Sequence, residues 1–268
     1  MLKHLLASAA LLALLPAHAD ISISSGSFTY SENFDSLTTS TTAVAWANDS
    51  TLPGFSLLAS TGTAVPTIAA DTGASNAGTF RSFGASGSSE RALGGVASGG
   101  AYFGSPPSGQ VAGWIVVAFR NDSGGALDGF TLAFAGEQWR NGGNASPQTM
   151  VLEYGFGSSY AAVTSWSVPG GGFDFTSPVV GTTAAAVDGN GAGRVAGLGG
   201  SVTGAAWAAG NSLFIRWVER NDVGNDHGLA IDDLSFSVIA SAVPEPGAWA
   251  LLLAGAGVLA FVARRARR

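Results

Sequence analysis

An all-β sandwich between two apolar terminal segments is the fold class this sequence predicts. Three observations lead there. Short runs of aromatic and β-branched residues recur at roughly ten-residue spacing, with Gly-, Pro-, Asn- and Ser-rich turns between them. No 3.6-residue periodicity interrupts that pattern between residues 20 and 240. The chain has no cysteine, so neither a disulfide framework nor a thiolate metal site holds it together. Its stability has to come from a core, with a bound ion as a further candidate.

Residues 1–19 read as a secretory signal peptide. They hold a lone basic residue, Lys3, an apolar run Leu5–Leu15 and the small-residue site Ala17-His18-Ala19, with cleavage after Ala19. The run is too short to be a permanent span. Residues 20–240 then form one β-sandwich domain, long enough to bury a large core, and residues 241–268 form a separate terminal segment. Lys3 is the only lysine, and the tail carries Arg264, Arg265, Arg267 and Arg268. The domain between keeps seven arginines against many more Asp and Glu, so it is acidic. It offers no basic patch to nucleic acid, and it repels anionic polymers unless cations bridge the two.

The elements follow in order. Phe28, Tyr30, Glu32 and Phe34 alternate onto one side of the opening strand, which puts a carboxylate on an apolar face. Trp46 and Phe55 are core anchors on either side of a Pro53-Gly54 turn. Residues 69–89 are rich in Gly, Ser and Ala and read as a long loop or weak strands. Glu90–Leu93 reads as a short strand ended by a turn at Gly94-Gly95. Residues 114–120 are a near-continuous apolar strand, and 121–125 a turn. Phe130, Leu132 and Phe134 alternate and run into Gly136-Glu137-Gln138-Trp139-Arg140, which places Glu137 and Trp139 on the opposite face. After a loop at 141–147, residues 150–154 are a strand with Glu153 facing away from Leu152 and Tyr154. Extended pieces at 166–168 and 173–175, a turn at Asp188–Gly191, and strands at 194–198, 201–207 and 213–219 come next. A polar loop at 221–228 precedes the closing strand 229–238. About ten strands result, best arranged as a jelly-roll or concanavalin-like sandwich.

Two constellations stand out. In the closing strand, alternation places Asp232 beside Ala230, Leu234 and Phe236, as Glu32 sits among aromatics in the first strand. Buried and unpaired, each carboxylate costs several kcal/mol. A structural Ca²⁺ shared by Glu32 and Asp232 satisfies them; so does pairing with Arg140 or Arg216; so does solvation. Glu32-Asn33-Phe34-Asp35 and Ile231-Asp232-Asp233-Leu234 resemble the terminal-strand motifs of extracellular jelly rolls, including MAM-like and carbohydrate-binding modules. That resemblance implies a structural Ca²⁺ at such acids. The second constellation is Glu137 and Trp139, with Glu153 from the next strand. An indole flanked by carboxylates on an exposed sheet face suits a sugar: the ring stacks on a pyranose and the acids accept its hydroxyls. The competing reading packs Trp139 at a sheet edge and pairs Glu137 with Arg140. A glycosidase using Glu137 and Glu153 needs them about 5–10 Å apart across a cleft. His227, the only histidine of the domain, reads as a solvated loop residue, with no neighbouring His for a zinc site and no nucleophile elbow for a triad. Asp188-Gly-Asn190-Gly reads as a glycine-rich turn.

The C-terminus is the most specific stretch. Pro244-Glu245-Pro246 cannot continue a helix backwards, so residues 242–247 are extended. Ala248–Ala263 carries no charge and, at 1.5 Å per residue, just covers a bilayer core as a transmembrane helix. Trp249 suits one interface, and the arginines hold the other end in the cytoplasm. A rigid break, an apolar helix and a basic stop in that order resemble the PEP-CTERM sorting signal of exopolysaccharide-producing Gram-negative bacteria. The resemblance implies processing by an exosortase, a membrane-embedded cysteine transpeptidase. It also implies an inner-membrane-anchored intermediate and delivery to the cell surface or extracellular matrix. A plain, uncleaved anchor is the competing reading. The expected function is therefore that of an exported, non-catalytic protein of the exopolysaccharide matrix or a glycan-binding module. A secreted glycan hydrolase is the alternative.

Overall fold

Alternating apolar residues pair into strands wherever the sequence supplies them, and in several places where the signal is weak. The computed structural model describes residues 20–98, 103–241, 252, 255–256 and 264–266. Fifteen strands occur among them: β1 (Ile21–Ile23), β2 (Thr29–Glu32), β3 (Val44–Ala45), β4 (Phe55–Ala59), β5 (Thr67–Asp71), β6 (Thr79–Phe83), β7 (Ala92–Val96), β8 (Val111–Asn121), β9 (Leu127–Asn141), β10 (Thr149–Gly157), β11 (Phe175–Thr176), β12 (Ala185–Ala186), β13 (Arg194–Val202), β14 (Ser212–Arg220) and β15 (Gly228–Ala240). Two single-turn 3₁₀ helices, Tyr160–Ala162 and Gly171–Phe173, lie in the connections.

The strands form two sheets. One is six-stranded, in the order β1-β8-β14-β10-β11, with β4 also on β8. The other is nine-stranded, in the order β12-β9-β15-β7-β6-β5-β3, with β13 on β9 and β2 on β15. Their inner faces meet as a sandwich. Phe119 of β8 stacks on Phe236 of β15 with centroids 3.8 Å apart, and Phe134 of β9 meets Trp217 of β14 edge-on at 5.5 Å. Each such pair adds about 0.5–1.5 kcal/mol beyond the burial of its area.

Three expectations change or sharpen at this level. Of the two readings of residues 69–89, a long loop or weak strands, short strands form: the end of β5 pairs in parallel with β6, anchored by the buried Ile68, Phe80 and Phe83. Gly94 and Gly95 lie inside β7, not in a turn. A Cβ at Gly94 would overlap the backbone of Leu229 and Ala230 on β15, so glycine permits the close approach. Residues 194–202 form one strand, interrupted only by a register shift between Val195 and Leu198.

The closing strand changes face part-way. Asp233 has φ 47°, and the pairing of β15 with β9 shifts register between Asp232 and Ser235. The extra residue is a β-bulge. Before it, Leu229 and Ile231 enter the main core while Ala230 and Asp232 face outward; after it, Leu234 and Phe236 point inward. Asp232 therefore shares a face with Ala230 but not with Leu234 or Phe236.

Among the described residues no helix is long and apolar enough to cross a membrane. The signal segment, Ala19, the Pro244-Glu245-Pro246 motif and most of the C-terminal apolar segment lie outside those residues.

Candidate functional sites on the two outer faces

The outer face of the six-stranded sheet collects the polar-aromatic groups that suit a ligand. On β10, Leu152 points into the core, so Glu153 points out. It faces Arg216 across the β10–β14 pair, and the guanidinium bonds it through Nε at 2.6 Å and Nη2 at 2.5 Å. Nη1 of Arg216 donates to the Tyr160 hydroxyl at 2.9 Å. The guanidinium also lies over two indoles, 3.6 Å from the Trp166 centroid and 4.8 Å from that of Trp114. Both tryptophans are half-buried. Stacking of this kind is worth about 0.5–2 kcal/mol per ring, and here it fixes two rings with one cation. Beside the cluster lies a cavity of ≈ 490 Å³ whose lining includes Asp20, Asn48, Asp49, Ser56, Arg120 and Tyr160. A floor of Leu58, Val116, Ala118 and Phe214 sits under it.

Glu137 and Trp139 lie elsewhere. As alternation requires, they face away from Phe130, Leu132 and Phe134, but that outer face of the nine-stranded sheet is covered. Trp139 is 2 % exposed and Glu137 0 %. The cover is the glycine-rich turn after β12: Val187 donates its N–H to the Trp139 carbonyl at 2.8 Å, and Gln138 donates to Gly193 O at 2.9 Å. Gly189 lies flat against the indole, where a Cβ would overlap the ring. Trp139 stacks parallel to Phe83 at 6.2 Å and donates Nε1–H to Glu137 Oε2 at 2.9 Å. The exposed sugar platform expected from Glu137, Trp139 and Glu153 is therefore not formed: two members are sealed, and the third is on the other side of the sandwich. Glu137 and Glu153 are also excluded as a cross-cleft acid pair, because both sheets and a core about 10 Å thick separate them.

Glu32 and Asp232 do not share a site either. Glu32 is opposite Leu234, on the core side of the sheet, where it accepts the Phe34 N–H at 2.8 Å and the Tyr30 hydroxyl at 3.2 Å. Asp232 is outward, 3 % exposed, and joins Glu137 and Glu90 instead. Neither Arg140 nor Arg216 reaches them: Arg140 donates to the carbonyls of Gly73 and Ala74, and Arg216 holds Glu153. Arg194 is the cation at the cluster, with Nη1 3.7 Å from Glu137 Oε1 and Nη2 2.5 Å from Asp233 Oδ2. Burial pushes the Glu137 carboxyl up to about 8, helped by the charge of Asp232 and opposed by the Trp139 hydrogen bond. Burial likewise pushes Asp232 up to about 7.

His227 is not solvated. It is 2 % exposed; its Nδ1 accepts the Gly142 N–H at 3.0 Å and its backbone N–H donates to Gln148 Oε1 at 2.6 Å. Burial lowers its pKa. Nearby, Asp226 accepts from Ser98 Oγ at 2.8 Å and from the Asp222 N–H at 2.7 Å. The groups sequence reasoning passed over are Glu90, Arg194, Trp114, Trp166 and Arg216 as a partner of Glu153. Only the last had a local signal, since Glu153 and Arg216 both occupy outward positions of central strands.

Residues 242–268 match the PEP-CTERM protein-sorting motif family. The chain carries a PEP-CTERM sorting signal. That motif marks an exported protein, processed by exosortase for surface or extracellular localisation. No curated protein matches the chain in sequence. Among solved structures, the PEP-CTERM-bearing chain is similar to the CBM22-1 xylan-binding domain from Paenibacillus barcinonensis Xyn10C, at 8% identity and TM-score 0.37, over 82% of this chain and 100% of that one. The CBM22-1-CBM22-2 tandem domain of the same protein is similar at 10% identity and TM-score 0.37, over 83% of this chain and 48% of that one. The Agl-KA catalytic domain is similar at 12% identity and TM-score 0.28, over 89% and 32%.

Proposed function

We propose that this exported protein is a non-catalytic glycan-binding module of the extracellular matrix, binding through the outer face of the six-stranded sheet. One observation carries the reading: Glu153 and Tyr160 hold Arg216 between the indoles of Trp114 and Trp166, next to a cavity lined by carboxylate, amide and hydroxyl groups. Indoles supply apolar area for a pyranose face, and the polar lining supplies acceptors and donors for its hydroxyls. The guanidinium orders both rings before any ligand arrives, which removes part of the entropic cost of binding. The domain is acidic, so the ligand is a neutral, hydroxyl-rich polysaccharide and not an anionic one. The sorting signal delivers the domain to where such polymers are.

The test is affinity electrophoresis and calorimetry of the exported domain against a panel of neutral and anionic polysaccharides, with Trp166→Ala and Trp114→Ala beside it. Binding to a neutral polymer that falls at least tenfold in both variants, with unchanged circular dichroism, supports the reading. Binding to none of the panel, or binding indifferent to both substitutions, overturns it.

A further inference from the structure

The sealed acidic cluster on the other sheet has no place in that reading. Glu90 comes from the segment before β7, Glu137 from β9 and Asp232 from the outward half of β15. One carboxylate oxygen from each lies within 4.8 Å of the other two. Each of the three carboxylates also has one oxygen, Glu90 Oε1, Glu137 Oε1 and Asp232 Oδ1, buried without a hydrogen-bond partner. An orphaned oxygen on a side chain as buried as Glu137 or Asp232 costs about 1–3 kcal/mol, and more when charged. Two of the remaining oxygens are spoken for: Glu137 Oε2 takes the Trp139 indole N–H, and Glu90 Oε2 takes the Asn190 side-chain amide. Arg194 does not complete the set. Its Nη2 is committed to Asp233, and its Nη1 stands 3.7 Å from Glu137 Oε1, within ion-pair but outside hydrogen-bond distance.

We infer that Glu90, Glu137 and Asp232 form a binding site for a hard divalent cation of Ca²⁺ size. Three carboxylates aimed at one point, without a nitrogen or sulfur ligand, select an oxygen-seeking cation. Two ligands on opposite sides of Ca²⁺ stand about 4.6–5.2 Å apart, against about 4.0–4.2 Å for Mg²⁺. A mutual separation within 4.8 Å lets one such ion touch all three carboxylates. The covering turn supports the assignment. Asn190 reaches Glu90 from it, and Arg194 at the start of β13 reaches Glu137 and Asp233, so the ion would tie β7, β9 and β15 to their lid. The site is separate from Glu32.

Full-length exported protein, stripped with EDTA and dialysed, tests this by melting and by Tb³⁺ luminescence. Trp139 donates to Glu137, so its indole is the natural sensitiser of a lanthanide bound there. Ca²⁺ at about 100 times its Kd is expected to raise Tm by about 5–10 °C, with Mg²⁺ giving a smaller rise at equal concentration. Tb³⁺ emission excited through tryptophan is expected to appear, to be displaced by Ca²⁺, and to fall at least fivefold in Trp139→Phe. Glu90→Gln, at a half-buried position, is expected to weaken Ca²⁺ at least tenfold without unfolding the domain; Asp232→Asn is the second variant. The site is overturned by a Tm indifferent to Ca²⁺ and EDTA, by a Ca²⁺ response that survives both variants, or by a response lost only in Glu32→Gln.

Discussion

Trp139 Nε1 donates a 2.9 Å hydrogen bond to Glu137, two residues earlier on the same strand face. Neither residue sees solvent. The pair is a matched donor and acceptor sealed between sheet and turn, and its removal is costly from either side. Trp139→Phe keeps the stack on Phe83 but leaves Glu137 without its donor. A loss of about 1–3 kcal/mol is expected, the cost of leaving a buried acceptor without its donor. Trp139→Ala adds a cavity and is expected to cost about 3–5 kcal/mol. Urea unfolding of the two variants checks both values.

Gly189 is the point where the turn meets the indole. Its φ is ordinary, so Gly189→Ala introduces no backbone strain, only overlap with the ring. It is expected to destabilise by about 1–3 kcal/mol and to expose the Trp139 region, read as faster hydrogen exchange at Gln138 and Val187.

How much of this could be read beforehand differs by element. Phe130, Leu132 and Phe134 alternate cleanly, and the outward placement of Glu137 and Trp139 followed. That the outward face is covered did not follow. Its lid, residues 187–193, is mostly glycine and small polar residues and buries an indole by backbone contact, which leaves no apolar signature in the sequence. Alternation puts Asp232 on the wrong face for a different reason. Alternation assumes an unbroken strand, and the bulge at Asp233 is set by the pairing with β9, not by local composition. His227 reads as a loop residue because its partners, Gly142 and Gln148, are about eighty positions away. The two-sheet architecture, by contrast, was legible from the short strands alone.

Glu219 on β14 is expected to make stability pH-dependent. It is 4 % exposed and has an oxygen without a hydrogen-bond partner. Burial, with the charges of Asp226 and Asp222, pushes its carboxyl up to about 8. Between the ordinary Glu value and about 8, the folded state holds a proton that the unfolded state has released. Stability therefore falls as pH rises through that window, by up to ~1.4 kcal/mol per unit for this one group. Glu219→Gln removes that share of the slope. Denaturation midpoints from pH 5 to pH 8.5, wild type against variant, measure it.

Arg216→Lys retains the charge but loses the planar contact with Trp114 and Trp166 and the paired bonds to Glu153. A stability loss of about 1 kcal/mol is expected. A larger fractional loss of glycan affinity is expected with it, because the indoles are no longer held in place. Thermal melts and calorimetric titration of the same preparation separate the two effects.

The bulge at Asp233 also governs how β15 tolerates mutation. A strand normally alternates between permissive and intolerant sites with one unbroken beat. Here the beat sets in only at a single residue. Saturation mutagenesis along 228–240 should show unbroken intolerance at 228–232, where both faces are covered, and alternation only beyond the bulge, with 234 and 236 intolerant and 233 and 235 permissive. Deleting Asp233 would make the alternation of faces continuous and ruin the strand. It would drive one half's aspartate into the aromatic interior, or turn the other half's Phe236 out to water.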